Sequence, residues 1–277
     1  MPEIQPKELP ILFSAPMVRA ILDGRKTVTR RVVKGDQIPK EDPAETDPSL
    51  RWTAVGQHDS RYGFVVNGDT AEQCALELAR CGRCPYGKPG GRLWVRETIY
   101  AWGRWETRYS EKKGRDEWHF IDMTLECGKQ YRYPASMIGA NGTRQRGCVT
   151  PQWWKRPAIH APRAASRILL EITAVRVERL QDISEEQAEA EGVHRAMRMW
   201  FATDDGGPSF TWPQHAFEHL WRKINGAESW EANPWVCAVD FKRITPPALS
   251  TTEADTAHRR PNPALGAPKP KGHTPVA

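Results

Sequence analysis

The chain has no apolar run long enough to cross a bilayer, which excludes a membrane-spanning helix. Its opening stretch, "MPEIQPKELP", lacks the apolar core of a secretory signal, so a cytoplasmic location is expected. Cysteine is scarce. Six of 277 residues, at 74, 81, 84, 127, 148 and 237, are too few for a disulfide scaffold, and reduced thiols are the default. A structural zinc site needs two close-spaced pairs of ligands, whereas Cys81 and Cys84 form a single C-x2-C with Cys74 upstream. No metal site is therefore expected, and the thiols read as small, mostly buried side chains. Apolar residues are also in short supply, at 39%, with a mean hydropathy of -0.65. A core is possible only if much of the polar sequence lies outside it, as long surface loops.

What the chain does have is positive charge. A formal net charge of +6 and a pI near 9.0 favour polyanionic partners, with nucleic acid first among them. The stretch "ILDGRKTVTRRVVK", residues 21 to 34, puts a helix stop, a lysine, two threonines and two adjacent arginines into one turn. A site that grips an anion or activates a hydroxyl needs cation and hydroxyl at fixed offsets. On an extended strand residues 26 and 29 fall on opposite faces, so Lys26 and Thr29 meet only if Lys26 lies in the turn, where Gly24 places it. Lys26 works as a base only if burial or the nearby Arg25, Arg30 and Arg31 lower its pKa.

Periodicity places the elements around this turn. "ILF" at 11 to 13 reads as a strand, followed by a helix with Ser14 as N-cap, Pro16 in its first turn and Gly24 at its end. Leu93 and Val95 alternate with Arg92, Trp94 and Arg96, which predicts a strand with one core face and one basic, aromatic face. Ile168, Leu170 and Ile172 open a long half-buried strand. Ser184 and Gln187 form a capping box for a short acidic helix that closes at Gly192. Phe217, Leu220, Trp221 and Ile224 share a helical stripe, and Trp235, Cys237, Val239 and Phe241 share one face of a last strand. The predicted class is α+β, one domain over 1–245 with polar insertions at about 35–80 and 103–150. The first insertion is expected to have little core of its own, and the second shows no assignable pattern. The Pro- and Ala-rich tail, 246–277, is expected to be disordered.

The series "LDGRKTVTRR", "YGKPGGRLWVRE", "RILLEITAVRVERLQDISEEQAEAEGV" and "WVCAVDFKRI" resembles the ASCH domain family, whose barrel is similar to the PUA RNA-binding domain. The chain also resembles the ASCH-type proteins of phages and prophages, sharing "APMVRAILDGRKTVTRRVV" and "WEANPWV" with them. The resemblance implies a small PUA-like antiparallel β-barrel with flanking helices and long insertions, binding RNA, DNA or a modified nucleoside. A bacterial branch of the family hydrolyses the amide of acetylated cytidine without a cofactor. Carried onto matching positions, its reactive set is Lys26 as base, Thr29 as nucleophile and Glu191 as proton donor. Glu185, Glu186 and Glu189 share the helix of Glu191 as alternatives.

Around that set, Arg25, Arg30, Arg31, Arg92, Trp94 and Arg96 are candidate nucleic-acid contacts, since guanidinium clamps phosphate and indole stacks on bases. "WWKRPAIHAPRAASR" adds Arg163, Ser166 and Arg167, a composition suited to a sugar-phosphate backbone. His160 in the same loop reads as an ordinary loop side chain rather than a catalyst, and Trp221 and Trp235 read as core.

Overall fold

The computed structural model describes residues 6–33, 35, 37–57, 63–81, 84–134 and 150–244. The expected disorder of 246–277, and Cys148, lie outside these. In chain order the strands and helices are β1 (Glu8–Leu12), α1 (Ala15–Leu22), β2 (Val28–Val32), β3 (Lys40–Glu41), β4 (Trp52–Gln57), β5 (Gly63–Gly68) and α2 (Ala71–Cys81). There follow β6 (Arg92–Arg96), β7 (Ile99–Ser110), β8 (Arg115–Asp122), β9 (Gln152–Arg156), β10 (Leu169–Arg179) and α3 (Glu185–Ala190). The chain continues through β11 (His194–Ala196), β12 (Met199–Phe201), β13 (Ser209–Phe210), α4 (Pro213–Asn225) and β14 (Trp235–Ile244). The class is mixed α+β.

A five-stranded sheet, ordered β1-β6-β10-β14-β2, carries the fold. Its spine is the antiparallel pair β10–β14, and β2 adds to β14 with Thr29 opposite Val239 and Arg31 opposite Cys237. Period-two alternation gives the sheet two apolar faces. Cys237, Val239 and Phe241 join Ile11, Phe13, Ile21, Leu93, Leu170 and Ile172 in the main core, under α1. Val236 points the other way, into a second core with Ala188 of α3 and Phe217 and Trp221 of α4. Each such aliphatic side chain removed from water contributes about 1.5–3 kcal/mol.

Several expectations change at this level. β1 pairs with β6 in parallel, so the sheet is mixed rather than antiparallel. β1 and β2 end the strand order, and among the described residues no pairing joins them into a closed barrel. The long strand is buried on both faces at its start, where Leu169 and Leu170 are both fully covered, and it slips register between Ile172 and Ala174. Ile224 is 50% exposed, at the end of the α4 stripe. Trp221 and Trp235 are buried as expected.

The first insertion is more structured than its composition suggests. β3, β4 and β5 form an antiparallel sheet, and α2 closes a small core of Ala54, Val66, Cys74 and Leu78 that also packs against Val177 of β10. Across and beyond the second insertion β8, β7 and β9 form a further antiparallel sheet, on which Trp102 and Trp153, just outside the insertion's bounds, make edge contact with ring centroids 5.6 Å apart.

A buried ion-pair cluster beside a candidate anion-binding cleft

The turn after α1 explains the density of functional residue types in the 21 to 34 stretch. Gly24 adopts φ +77°, and the chain then doubles back so that the N–H groups of Arg25 and Lys26 both donate to the Ala20 carbonyl, at 2.9 and 3.0 Å. Thr27 stitches the turn in place: its N–H donates to Ala190 at the end of α3, and its carbonyl accepts from Phe241 on β14, both at 2.8 Å. The result throws the Lys26 side chain inward.

On the facing side, both halves of the Ser184–Gln187 capping box are formed and set the start of α3. Helical spacing then puts Gln187, Ala188 and Glu191 on the inward side, whereas Glu185, Glu186 and Glu189 are exposed. Of the four acidic candidates, Glu191 is therefore the one that meets the lysine. Lys26 Nζ donates to Glu191 Oε2 at 2.6 Å and to the Glu191 carbonyl at 2.9 Å. Gly192, at φ +94°, permits this approach, because a Cβ there would lie 2.8 Å from the Lys26 Cβ. Burial pushes the Lys26 pKa below the ordinary lysine value; Glu191 opposes the shift, and Arg31 and Arg30 add to it.

Arg30 completes the cluster. Its guanidinium donates to Glu178 Oε1 at 3.0 and 2.6 Å, to Gln187 Oε1 at 2.8 Å and to Glu191 Oε1 at 3.3 Å, and it lies over the Phe217 ring. Its side chain is wholly buried. This residue is committed to internal partners and is not placed where a ligand's phosphate would meet it.

Arg31, one position on, faces the opposite side. Its Nη2 donates to the Leu12 carbonyl at 3.0 Å and its guanidinium lies 5.6 Å from the Phe13 ring centroid. Lys26 Nζ lies 5.8 Å from the same ring, so both cations neighbour Phe13. Arg31 walls a cleft with Arg96, Ser14, Tyr86, Leu12 and Met17. Arg96 reaches it from β6, its guanidinium 5.4 Å from the Trp94 ring centroid and anchored to the carbonyls of Ala161 and Ile159. Ser14 precedes α1 without a side-chain capping bond. Thr29 lies on the Arg31 face, buried opposite Val239, so both members of the Lys26–Thr29 pair border the main core.

The remaining predicted contacts are distributed elsewhere. Arg25 donates to the Gly192 carbonyl at 3.0 Å and pairs with Asp23. Arg163 pairs with Glu8 at 2.6 Å, Ser166 Oγ donates to the Ile168 carbonyl, and Arg167 makes a two-pronged pair with Glu97 at 2.9 and 3.0 Å beneath Tyr133. Arg92 is half-buried on β6. His160 ends a short helical turn, Ala158–His160, and burial, Arg156 and Arg96 all push its pKa down. Among the described residues no group of three or more His, Cys, Asp or Glu side chains converges on a metal-sized site.

Sequence reasoning missed Tyr86, Phe13 and Glu178. Phe13 was assigned to a strand for its hydrophobicity alone. Glu178 carries a signal in hindsight: a carboxylate on a core strand needs a buried cation, and Arg30 is one. Comparison of the chain with protein-family models, with curated proteins and with solved structures gave no match.

Proposed function

We propose that the chain is an ASCH-type, PUA-like protein that binds a nucleotide or a segment of RNA or DNA in the cleft between β1, α1, β2 and β6. The observation that supports this reading is the convergence of Arg31 and Arg96 with the Ser14 hydroxyl and the Tyr86 ring. Guanidinium pairs suit phosphate oxygens, and a phenol ring suits a base face. In this reading the five-stranded sheet is an incompletely paired form of the family's barrel.

A second reading, hydrolysis of an N-acylated cytosine nucleoside, is favoured by the contact of Lys26 with Glu191 and by the lysine's lowered pKa. Lys26 would take the proton of the Thr29 hydroxyl, the threonine oxygen would attack the acyl carbonyl, and Glu191 would protonate the departing amine; water, giving a proton to Glu191, would then attack the acyl-threonine ester and release the acid as Lys26 returns its proton to the threonine oxygen. The set is buried, so a substrate would reach it through the cleft and past Phe13.

Titration calorimetry with cytidine monophosphate at low salt tests the binding reading. Each of Arg31→Ala and Arg96→Ala should weaken affinity about tenfold or more, since a charged hydrogen bond contributes about 1.5–3 kcal/mol. Affinity should also fall as salt rises. An unaffected Arg31→Ala, or a wild-type protein that binds no nucleotide, would sink it. Release of acetate from N-acetylcytidine, lost in Thr29→Val and in Lys26→Arg, tests hydrolysis separately, because guanidinium cannot act as a base near neutral pH. A wild-type protein that binds cytidine monophosphate but releases no acetate would leave binding as the function.

A further inference from the structure

Two thiols far apart in sequence meet beside the cleft. Cys84 Sγ and Cys237 Sγ are 2.7 Å apart, inside the separation of about 3.5–4.0 Å at which heavy atoms make ordinary non-bonded contact. A disulfide needs them at about 2.05 Å, so a small closing movement joins them. The other described thiols are placed differently. Cys74 is buried and donates to the Val66 carbonyl, Cys81 lies against Glu77, and Cys127 is exposed. The pair borders a pocket lined by Val33, Leu78, Pro85, Val175 and Val177, with Cys84 partly buried and Cys237 buried on β14.

We propose that Cys84 and Cys237 are a redox modification site, at which a hydroperoxide oxidises the pair to a reversible disulfide. The chemistry divides between the two sulfurs. Cys84 is the nucleophile, as the less buried of the two sulfurs; the hydrogen bond with Cys237, together with the Tyr86 and Gly87 N–H groups, holds its pKa below the ordinary thiol value against the effect of burial, while that contact and burial push Cys237 up. The Cys84 thiolate attacks one peroxide oxygen, the O–O bond breaks, and the leaving hydroxide takes up the thiol's proton as water. The resulting sulfenic acid is attacked by Cys237, the S–O bond breaks, and a second water leaves with the disulfide formed. Two electrons pass from the two thiols to one peroxide.

The location connects this chemistry to the cleft. Cys237 stands opposite Arg31 across the β14–β2 pairing, and Cys84 lies two residues before Tyr86. Arg31 and Tyr86 both line the cleft, so the bond would tie the Tyr86 segment to the strand beside Arg31. That second consequence rests on the nucleotide-binding reading; the bond itself does not.

The test uses the full chain, treated with a stoichiometric amount of hydrogen peroxide, alkylated and digested for mass spectrometry. The expected result is one linked peptide pair containing Cys84 and Cys237, two fewer alkylated thiols, and full reversal by dithiothreitol. Cys127→Ser should behave as wild type. Cys84→Ser, a near-isosteric change at a partly buried position, should fold and lose the link, and Cys237→Ala should leave a trappable sulfenic acid on Cys84. Absence of the link in folded wild-type protein, or its formation through another cysteine, would overturn the proposal whatever ligand binds. Cytidine monophosphate affinity, compared between reduced and oxidised protein, should differ several-fold in wild type and not in Cys84→Ser. Failure to bind nucleotide in either state would count against the cleft reading alone, since the link is read by mass.

Discussion

Arg30 and Arg31 are neighbours in the chain and share no environment. The first is wholly buried among Glu178, Gln187 and Glu191, beneath the helices α3 and α4. The second lines a cleft, with a backbone carbonyl and an aromatic ring as its contacts. One step along a strand reverses the face, and with it the surroundings: Arg30 neutralises buried carboxylates, whereas Arg31 lines the cleft. A run of arginines therefore says little about how many of them bind anything.

The comparison breaks most sharply at Glu191. Glu191→Ala leaves Lys26 and Arg30 buried with a missing partner and should cost about 3–5 kcal/mol in chemical denaturation. Adding Lys26→Met to that variant should recover part of the loss, because the stranded charge is gone. A Glu191→Ala protein as stable as wild type would show that the cluster contributes nothing to folding.

Gly192→Ala should cost about 1–3 kcal/mol, through strain at φ +94° and the close approach to the Lys26 Cβ. A near-zero change would mean that the turn and α3 can part without loss.

The pH dependence sharpens the same contrast. The folded pKa of Lys26 is depressed from 10.5, so the unfolded chain binds more protons between the folded value and 10.5. Stability should accordingly rise with pH through that window and fall away as pH drops through the folded pKa. The difference in unfolding free energy between wild type and Lys26→Met, followed across alkaline pH, isolates this effect. A difference that does not change with pH would contradict it.

The smallest effect belongs to the other face. Arg31→Ala should change stability by no more than about 0.5 kcal/mol while weakening nucleotide binding. A large loss of stability would place Arg31 with Arg30 as a structural side chain.

Much of this was legible from residue order. The capping box at Ser184 and Gln187, the stop at Gly192 and the turn at Gly24 are local devices, set by side-chain hydrogen bonds and by the ease with which glycine adopts positive φ. They suffice to place Lys26 in a turn and Glu191 at a helix end. The core faces of β6 and β14 follow from period-two alternation. The small core under α2 was obscured, because two short strands, β4 and β5, and a helix each contribute only one or two buried apolar residues to it.

By itself, then, the sequence determined the elements, their caps and which residues alternate, since these depend on contacts between near neighbours. Only the tertiary structure decided that Arg30 is enclosed, because that depends on β10, α3 and α4 packing around it from more than 140 positions away. It likewise decided that Arg167 answers Glu97, that Arg31 and Arg96 share a cleft, and that Cys84 meets Cys237 across 153 positions. Burial and charge pairing are properties of what surrounds a side chain, and those surroundings come from segments that local periodicity cannot bring together.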